Sequence, residues 1–352
     1  MPSKRIFLVL IVLGLATLVG CGSTATHTAY VSLPNSNAVA AYRIDNKTAQ
    51  FTAIVGSPYP AGDSPSSVLV HPSNRFVYAT NQIDNDISLF TIDTTIGSLK
   101  EVLPRTPTGL TPGSLVMDTP GTFLFALNRV SSSISVYSIN SSSGALTPVA
   151  GSPFATAANP VAIALAPSGK FLYVLNANLA SVFAYTVAAG VVQPVATPPV
   201  QVGNGALAIT VDPAGNLAYV ANATDNTVSV LSVNSSTGAL TVVGTFVTGT
   251  QPIALVVLGQ FLYVANLGGS NISVFSVAPT TGVLTQITGS PFSAGGAPLF
   301  EVIDPNHLFL YAGSQSGMII SALSINSTTG VLTTTSQSAS TGVAPSSMSV
   351  SK

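Results

Sequence analysis

Over most of the chain, large apolar residues alternate with small or polar ones for five to seven positions, then give way to Gly, Pro, Ser and Asn. Ile134-Ser135-Val136-Tyr137-Ser138-Ile139 and Ile272-Ser273-Val274-Phe275-Ser276-Val277 are clear copies. A period of two predicts a strand with two distinct faces. The order of strands also repeats. A segment like Leu262-Tyr263-Val264-Ala265-Asn266 puts Tyr30, Tyr78, Phe125, Tyr173, Tyr219, Tyr263 and Tyr311 in one column, spaced 48, 47, 48, 46, 44 and 48 residues apart. That makes seven units, each with four short strands, A to D, of which the Tyr strand is B and the alternating strand is C.

Punctuation between the strands keeps the same register. Gly97, Gly144, Gly190, Gly238, Gly282 and Gly330 share one column after strand C, with Ala49 in the first unit; a hairpin loop of this length wants a positive φ there. Strand D leads to Gly-Ser-Pro at Gly56, Gly151 and Gly289, read as a loop. Strand A starts after Pro65, Pro112, Pro160, Pro252, Pro298 and Pro345, with Ala206 in the remaining copy. Turns such as Pro167-Ser168-Gly169 then lead back to strand B.

A repeat of this length with strand patterning indicates a propeller. The chain opens on strand B of the first unit and stops after a lone strand A, Ser346–Val350. A ring uses both ends, because the last strand completes the first blade. An open solenoid would want polar caps instead. An outer-membrane barrel needs strands of roughly 9 to 11 residues, longer than these. The expected fold is therefore all-β, a seven-bladed β-propeller over residues 30–350 with four antiparallel strands per blade. On Leu-Tyr-Val-Ala-Asn and the Pro…Pro-Ser-Gly inner strand, the chain resembles the lactonase-like seven-bladed propellers with YVTN-type repeats. That resemblance implies the fold and, more weakly, a lactone-opening activity. Without Trp, the chain lacks the Trp-Asp blade motif and the Trp-docked blades of quinone-cofactor enzymes.

Composition at first suggests a membrane protein, with 47% hydrophobic and 6% charged residues and a mean hydropathy of +0.55. Beyond the first 20 residues, however, no apolar run approaches the ~18 residues of a spanning helix. Residues 1–20 place Lys4 and Arg5 before the apolar stretch Ile6–Val19, the layout of a secretory signal. Leu18-Val19-Gly20-Cys21 resembles the lipobox of bacterial lipoproteins, which implies lipidation of Cys21, the only Cys, and a membrane anchor. Residues 21–29 read as the lipidated Cys and a tether. Gly22 implies the outer membrane where there is one. Removing the signal leaves eight basic and eleven acidic residues, a net charge of −3. With no basic run, nucleic acid is not an expected partner.

Candidate chemistry is sparse. The third residue after the Pro column is Val68, Leu115, Ile163, Ile209, Leu255, Glu301 and Met348. Glu301 alone breaks an apolar column, and a carboxylate there must be paired, hydrated or functional. It is the candidate catalytic residue. The B–C and D–A loops share one end of the channel, the expected mouth. They carry Asp63, Asp84, Asp86, Arg105, Arg129 and Asp225, of which Arg105, Arg129 and Asp63 are the candidate ligand-binding residues. Asp84-Asn85-Asp86 lacks the Gly and Glu of a calcium loop, so no metal is assigned, and no cofactor. Asn81, Asn128, Asn176, Asn222 and Asn266 end strand B and read as structural amides bonding local backbone. Tyr59, Phe154 and Phe292 read as loop pins more than as sugar platforms. His27 falls in the tether, and His71 and His307 at the A–B turn away from the mouth, so no catalytic triad is identifiable. The residues after the Pro column (Ser66, Gly113, Val161, Leu207, Ile253, Leu299, Ser346) include no His or Arg, so the family's usual set there does not carry over.

Two functions remain open. The first is a lipid-anchored, extracytoplasmic and monomeric binding module for an envelope protein or glycan. The second is a lactonase, 6-phosphogluconolactonase-like by resemblance, with Glu301 activating water and Arg105 or Arg129 stabilising the oxyanion.

Overall fold

Strands A to D of each repeat hydrogen-bond in sequence order to form one antiparallel sheet, seven sheets in all among the described residues. The computed structural model describes residues 26–352; the signal segment and Cys21 lie outside them. Among the described residues no helix is long and apolar enough to cross a membrane. Blade 2 illustrates the plan, with strand A at Pro65–Val70, B at Phe76–Asn81, C at Asp86–Ile92 and D at Leu99–Pro107. The column glycines after strand C take positive φ, from 73° at Gly282 to 80° at Gly97, and Ala49 follows at 58°.

Blade 1 is closed by both ends of the chain. Ser347–Val350 pairs antiparallel with the strand Thr26–Leu33, with Tyr30 opposite Ser349 and Val31 opposite Met348. The ring expected from the phase of the repeat is therefore present. One boundary moves: strand B of blade 1 begins at Thr26, so Thr26–Ala29 are sheet rather than tether. His27 is accordingly a strand residue, paired with Ile44.

Blades stand side by side, and each pair of neighbours encloses an apolar cluster. The cluster between blades 6 and 7, for example, holds Phe261, Tyr263, Val274, Leu310, Ala312 and Leu323. Burying both faces of every sheet uses the apolar content without any membrane. The Tyr column ties the ring together across these seams. Tyr30 donates to the Gly97 carbonyl (2.9 Å), Tyr78 to Gly144 (2.7 Å) and Tyr173 to Gly238 (3.2 Å), each in the next blade.

Gly-Ser-Pro differs from the loop expected for it. In blades 1, 3 and 6 strand D breaks at this motif and then resumes for two residues, pairing again with strand C at Tyr59–Pro60, Phe154–Ala155 and Phe292–Ser293. The Ser hydroxyl accepts the strand-C amide that the break would orphan, at 2.8 Å from Ala41, Val136 and Val274. Tyr59, Phe154 and Phe292 then pack against the blade clusters, as pins.

Candidate functional site

The mouth is built by backbone bonds between B–C and D–A loops that recur around the ring. Gln82 N–H donates to Ser64 O (3.0 Å), Arg129 to Thr111 O (3.1 Å), Leu267 to Gln251 O (2.9 Å) and Gln315 to Ala297 O (2.9 Å). A second column supports them. Asn37, Asn85, Ser132 and Asn226 stand four residues after the end of strand B with φ between 49° and 58°, and each side chain accepts a D–A loop amide, as Asn85 does from Thr111 at 2.7 Å. Asn tolerates this left-handed backbone and supplies the acceptor. The spacing was present in the sequence, but the partner of each side chain was not.

The strand-B Asn column is structural, although its partners differ from the local backbone expected. Asn128 donates to Ser133 (3.0 Å) and Ser135 (2.9 Å), Asn222 to Thr227 (3.0 Å) and Ser229 (2.9 Å), and Asn81 to Asp86 (2.6 Å) and Ser88 (3.0 Å). These are side chains five and seven residues on, facing the amide from strand C. Only Asn176 bonds backbone, at Ala158 O. A further glycine column lies three residues before the Pro column. At Gly62 a Cβ would meet the Asn81 amide at 2.5 Å, so here the D–A loop crosses the amide only without a side chain; blade 4 has Ala157 in this column.

Glu301 does not reach the channel. Strand A presents its edge to the channel and its faces to the neighbouring blades, so the third position after the Pro column points into a seam. Val68, Leu115, Ile163, Ile209, Leu255 and Met348 all pack in interblade clusters. Glu301 sits opposite Ala312 in the sheet, on the face that blade 6 covers. It is 8% exposed, and both carboxylate oxygens are buried without a hydrogen-bond partner. Burial pushes its pKa well above the ordinary carboxylate value, and the peptide groups of Val256 and Ala265 offset this only in part. The neighbouring Tyr263 hydroxyl is also buried and unpartnered.

The mouth charges divide into a carboxylate-rich group around Arg105 and a separate cation. Arg105 lies in strand D of blade 2 rather than in a loop. Its Nε bonds Glu101 at 2.8 Å and its Nη1 reaches Asp84 at 3.3 Å. Its hydrogen bond to Glu101 leads the interactions that raise its pKa, so its charge is held by these carboxylates. Asp63 is exposed; it accepts from Asn37 (2.8 Å), and its own N–H donates to Asp84 (2.8 Å). Asp86, the first residue of strand C, has a pKa raised by burial, partly offset by the Asn81 amide and by Arg105. Asp225 accepts the Asn204 N–H at 2.7 Å. Glu101 completes this network, yet sequence reasoning passed over it because it lies in the outermost strand.

Arg129 is different. It is exposed, and among the described residues it has no ion pair. Its side chain lies over Gly113, the residue after the Pro column, where a Cβ would meet Arg129 Cδ at 3.1 Å. The missing side chain thus lets the stem lean over the start of an inner strand. Beside it is an open cavity of about 310 Å3 bounded by Thr111, Val130, Asn159 and Val161. The Asn85–Thr111 and Thr111–Arg129 bonds join this cavity to the blade-2 loop that carries Asp84. One unpaired guanidinium over a cavity can bind an oxyanion.

A family model described as "Lactonase, 7-bladed beta-propeller" matches residues 23–163 and 156–350. The chain belongs to this lactonase propeller family. Solved structures agree on the fold. A protein of Bacteroides fragilis with the provisional name 6-phosphogluconolactonase superposes with a TM-score of 0.82 at 20% identity, over 94% of this chain and 99% of its own. The periplasmic gluconolactonase of Pseudomonas aeruginosa does so at 0.79 and 20%, over 93% and 99%. Hydrazine synthase of Kuenenia stuttgartiensis reaches 0.60 at 16% identity, over 80% and 88%, so the ring itself is shared beyond lactone chemistry. Among curated proteins no match is found. In this lactonase-family propeller His71 serves structure, its ring bonding Ser73 (2.8 Å) and the Gly121 carbonyl (2.9 Å) at the end away from the mouth.

Proposed function

We propose that the protein is a lipid-anchored lactonase of the cell envelope, opening a cyclic ester at the Arg129 cavity. Family membership moves the balance from a non-catalytic module to a hydrolase, and the unpaired Arg129 over Gly113 carries the assignment to this place. Water adds to the acyl carbon while the ring C–O bond breaks. The carbonyl oxygen gains negative charge, which Arg129 stabilises by a charge-assisted hydrogen bond. The proton lost by water passes to the departing ring oxygen, which leaves a hydroxycarboxylate. Glu301, shut in its seam, has no part in this route.

The substrate class follows from charge. Arg105 is already committed to Glu101 and Asp84, so one cation remains at the mouth. A neutral lactone fits better than a phosphorylated one, whose dianion calls for several donors. The periplasmic gluconolactonase supports this reading by the activity and address in its name, and the lipobox-like segment ending in Cys21 supports an extracytoplasmic address here.

The test is a pH-stat assay of residues 22–352 against glucono-, valero- and butyrolactone. Turnover should fall about 100-fold or more in Arg129→Met, by analogy with the loss of one oxyanion donor, and stay within twofold in Glu301→Gln. Turnover abolished by Glu301→Gln but spared by Arg129→Met would move the site to blade 7. No turnover of any lactone would return the protein to the class of binding modules.

A further inference from the structure

The chain enters the ring at the end away from the mouth. Thr26, the first residue of strand B of blade 1, stands opposite Asp45 at the C–D loop, and Leu33, the last, stands opposite Ala38 at the mouth. Seven residue steps separate these two levels, about 23 Å at ~3.3 Å each. Cys21 is five residues before Thr26, and five residues span at most about 18 Å. A lipid on Cys21 can therefore bring the A–B turns and C–D loops to a bilayer, and it cannot bring the mouth there.

Charge divides along the same axis. Arg105 and Arg129 are at the mouth among more numerous carboxylates, whereas Arg43, Lys47, Arg75, Lys170 and Lys352 lie toward the A–B turn and C–D loop end, all exposed. The acids at that end bond their own turns. Asp45 accepts the Lys47 and Thr48 N–H (2.9 and 2.8 Å), and Asp118 accepts the Thr122 and Phe123 N–H (2.7 Å each). Asp93 is exposed there, but Asp45, Asp118, Asp212 and Asp304 are half-buried or buried. The exposed charge of this face is thus mainly positive, although the mature chain is net negative.

Three of these cations gather around the entry of the chain. Arg43 stands opposite Thr28 in the sheet. The Thr28 N–H donates to Ser351 Oγ (2.9 Å), and the Asn74 side chain bonds the Lys352 backbone twice, at 3.0 and 3.1 Å, with Arg75 next in sequence. Thr26, Arg43, Asn74 and Lys352 border one open cavity. Cations at the foot of a lipid tether complement anionic headgroups, and this attraction acts over a Debye length without a fitted pocket.

We propose that the face of A–B turns and C–D loops rests on an anionic phospholipid surface, with Arg43, Lys47, Lys170 and Lys352 toward the headgroups and the mouth turned to the water. An edge-on ring would instead lift Lys170, on blade 4 across the ring from blade 1, off the bilayer. The inference rests on the Cys21 anchor, which fractionation of Cys21→Ser tests on its own, and not on the lactonase reading.

The experiment holds residues 21–352 on vesicles through the thiol of Cys21, the only Cys, coupled to a maleimide phospholipid, so the geometry is tested independently of lipidation in cells. Uncharged acylating and glyoxal reagents then modify Lys and Arg, and peptide mass spectrometry compares each rate with that of the same chain free in solution, its thiol capped. On vesicles containing phosphatidylglycerol, Lys47, Lys170, Lys352 and Arg43 should slow at least about threefold, and Arg129 less than twofold. High salt, or vesicles of phosphatidylcholine alone, should restore the rates at Lys170 and Lys352, because screening or removing the lipid charge releases the face. Arg43→Gln combined with Lys47→Gln, both at exposed positions, should do the same. The proposal is overturned if Arg129 slows as much as the lysines, if Lys47 slows while Lys170 does not, if no residue slows, or if protection is equal on both kinds of vesicle.

Discussion

Glu301 shows how one residue can be conspicuous in sequence and misread in role. Its departure from an apolar column was visible without a structure, but not which way the column faces. In the folded protein it is a buried acid in a seam between blades, with a pKa raised by burial and only partly offset by the peptide groups of Val256 and Ala265. An acid that titrates above its ordinary value of 4.5 when folded contributes stability below that pH, and loses it as pH rises through the folded value. Glu301→Met, which restores the residue type that blade 1 carries at Met348, should therefore stabilise the protein by about 1–3 kcal/mol. The gain should be smallest below pH 4.5 and grow with rising pH. Thermal melts of parent and variant from pH 4 to 9 measure it, and a gain independent of pH would show that Glu301 has a partner when ionised. Arg129 is the opposite case. Its charge was legible, but its freedom emerged only when Arg105 proved to be held by Glu101 and Asp84.

At the scale of the strand, periodicity identified nearly everything that backbone geometry requires. The alternation in strand C, the positive-φ glycines and the start of strand A after Pro were readable because each is a local constraint. Gly-Ser-Pro was not, because a break in strand D makes sense only beside the strand-C amide that the Ser hydroxyl accepts, as Ser152 does from Val136 at 2.8 Å. The same holds for the B–C loop Asn column, whose acceptors serve amides about 25 residues away. The closing strand allows a direct test. Deleting residues 347–352 removes the partner of Ala29–Ser32 and uncovers the seam into which Met348 packs. The loss should be about 3 kcal/mol or more, judged from the removal of large core side chains. It should lower the melting temperature by at least ~5 °C and expose blade 1 to limited proteolysis. An unchanged melting temperature would mean that the ring does not depend on this strand.

For the whole molecule, an apolar, weakly charged composition that could have signified a membrane protein instead fills seven seams between sheets. Contact with the bilayer is assigned to the proposed anchor alone. Cys21→Ser should shift the protein from the membrane to the soluble fraction of cells without altering its melting temperature. Retention in the membrane fraction would show that something other than Cys21 holds it there. By itself the sequence determined the number of blades, their strand order, the closing of the ring, the family resemblance and which residues carry charge. These are properties of neighbours along the chain, repeated often enough to be read. Only the tertiary structure decided that Glu301 is shut in a seam, that Arg105 is ion-paired while Arg129 is not, and that His27 belongs to a strand rather than a tether. Each of these depends on which residue stands opposite across a blade or seam, tens to hundreds of positions away. Burial and pairing, which set the energy and chemistry of a charge, arise only from that juxtaposition.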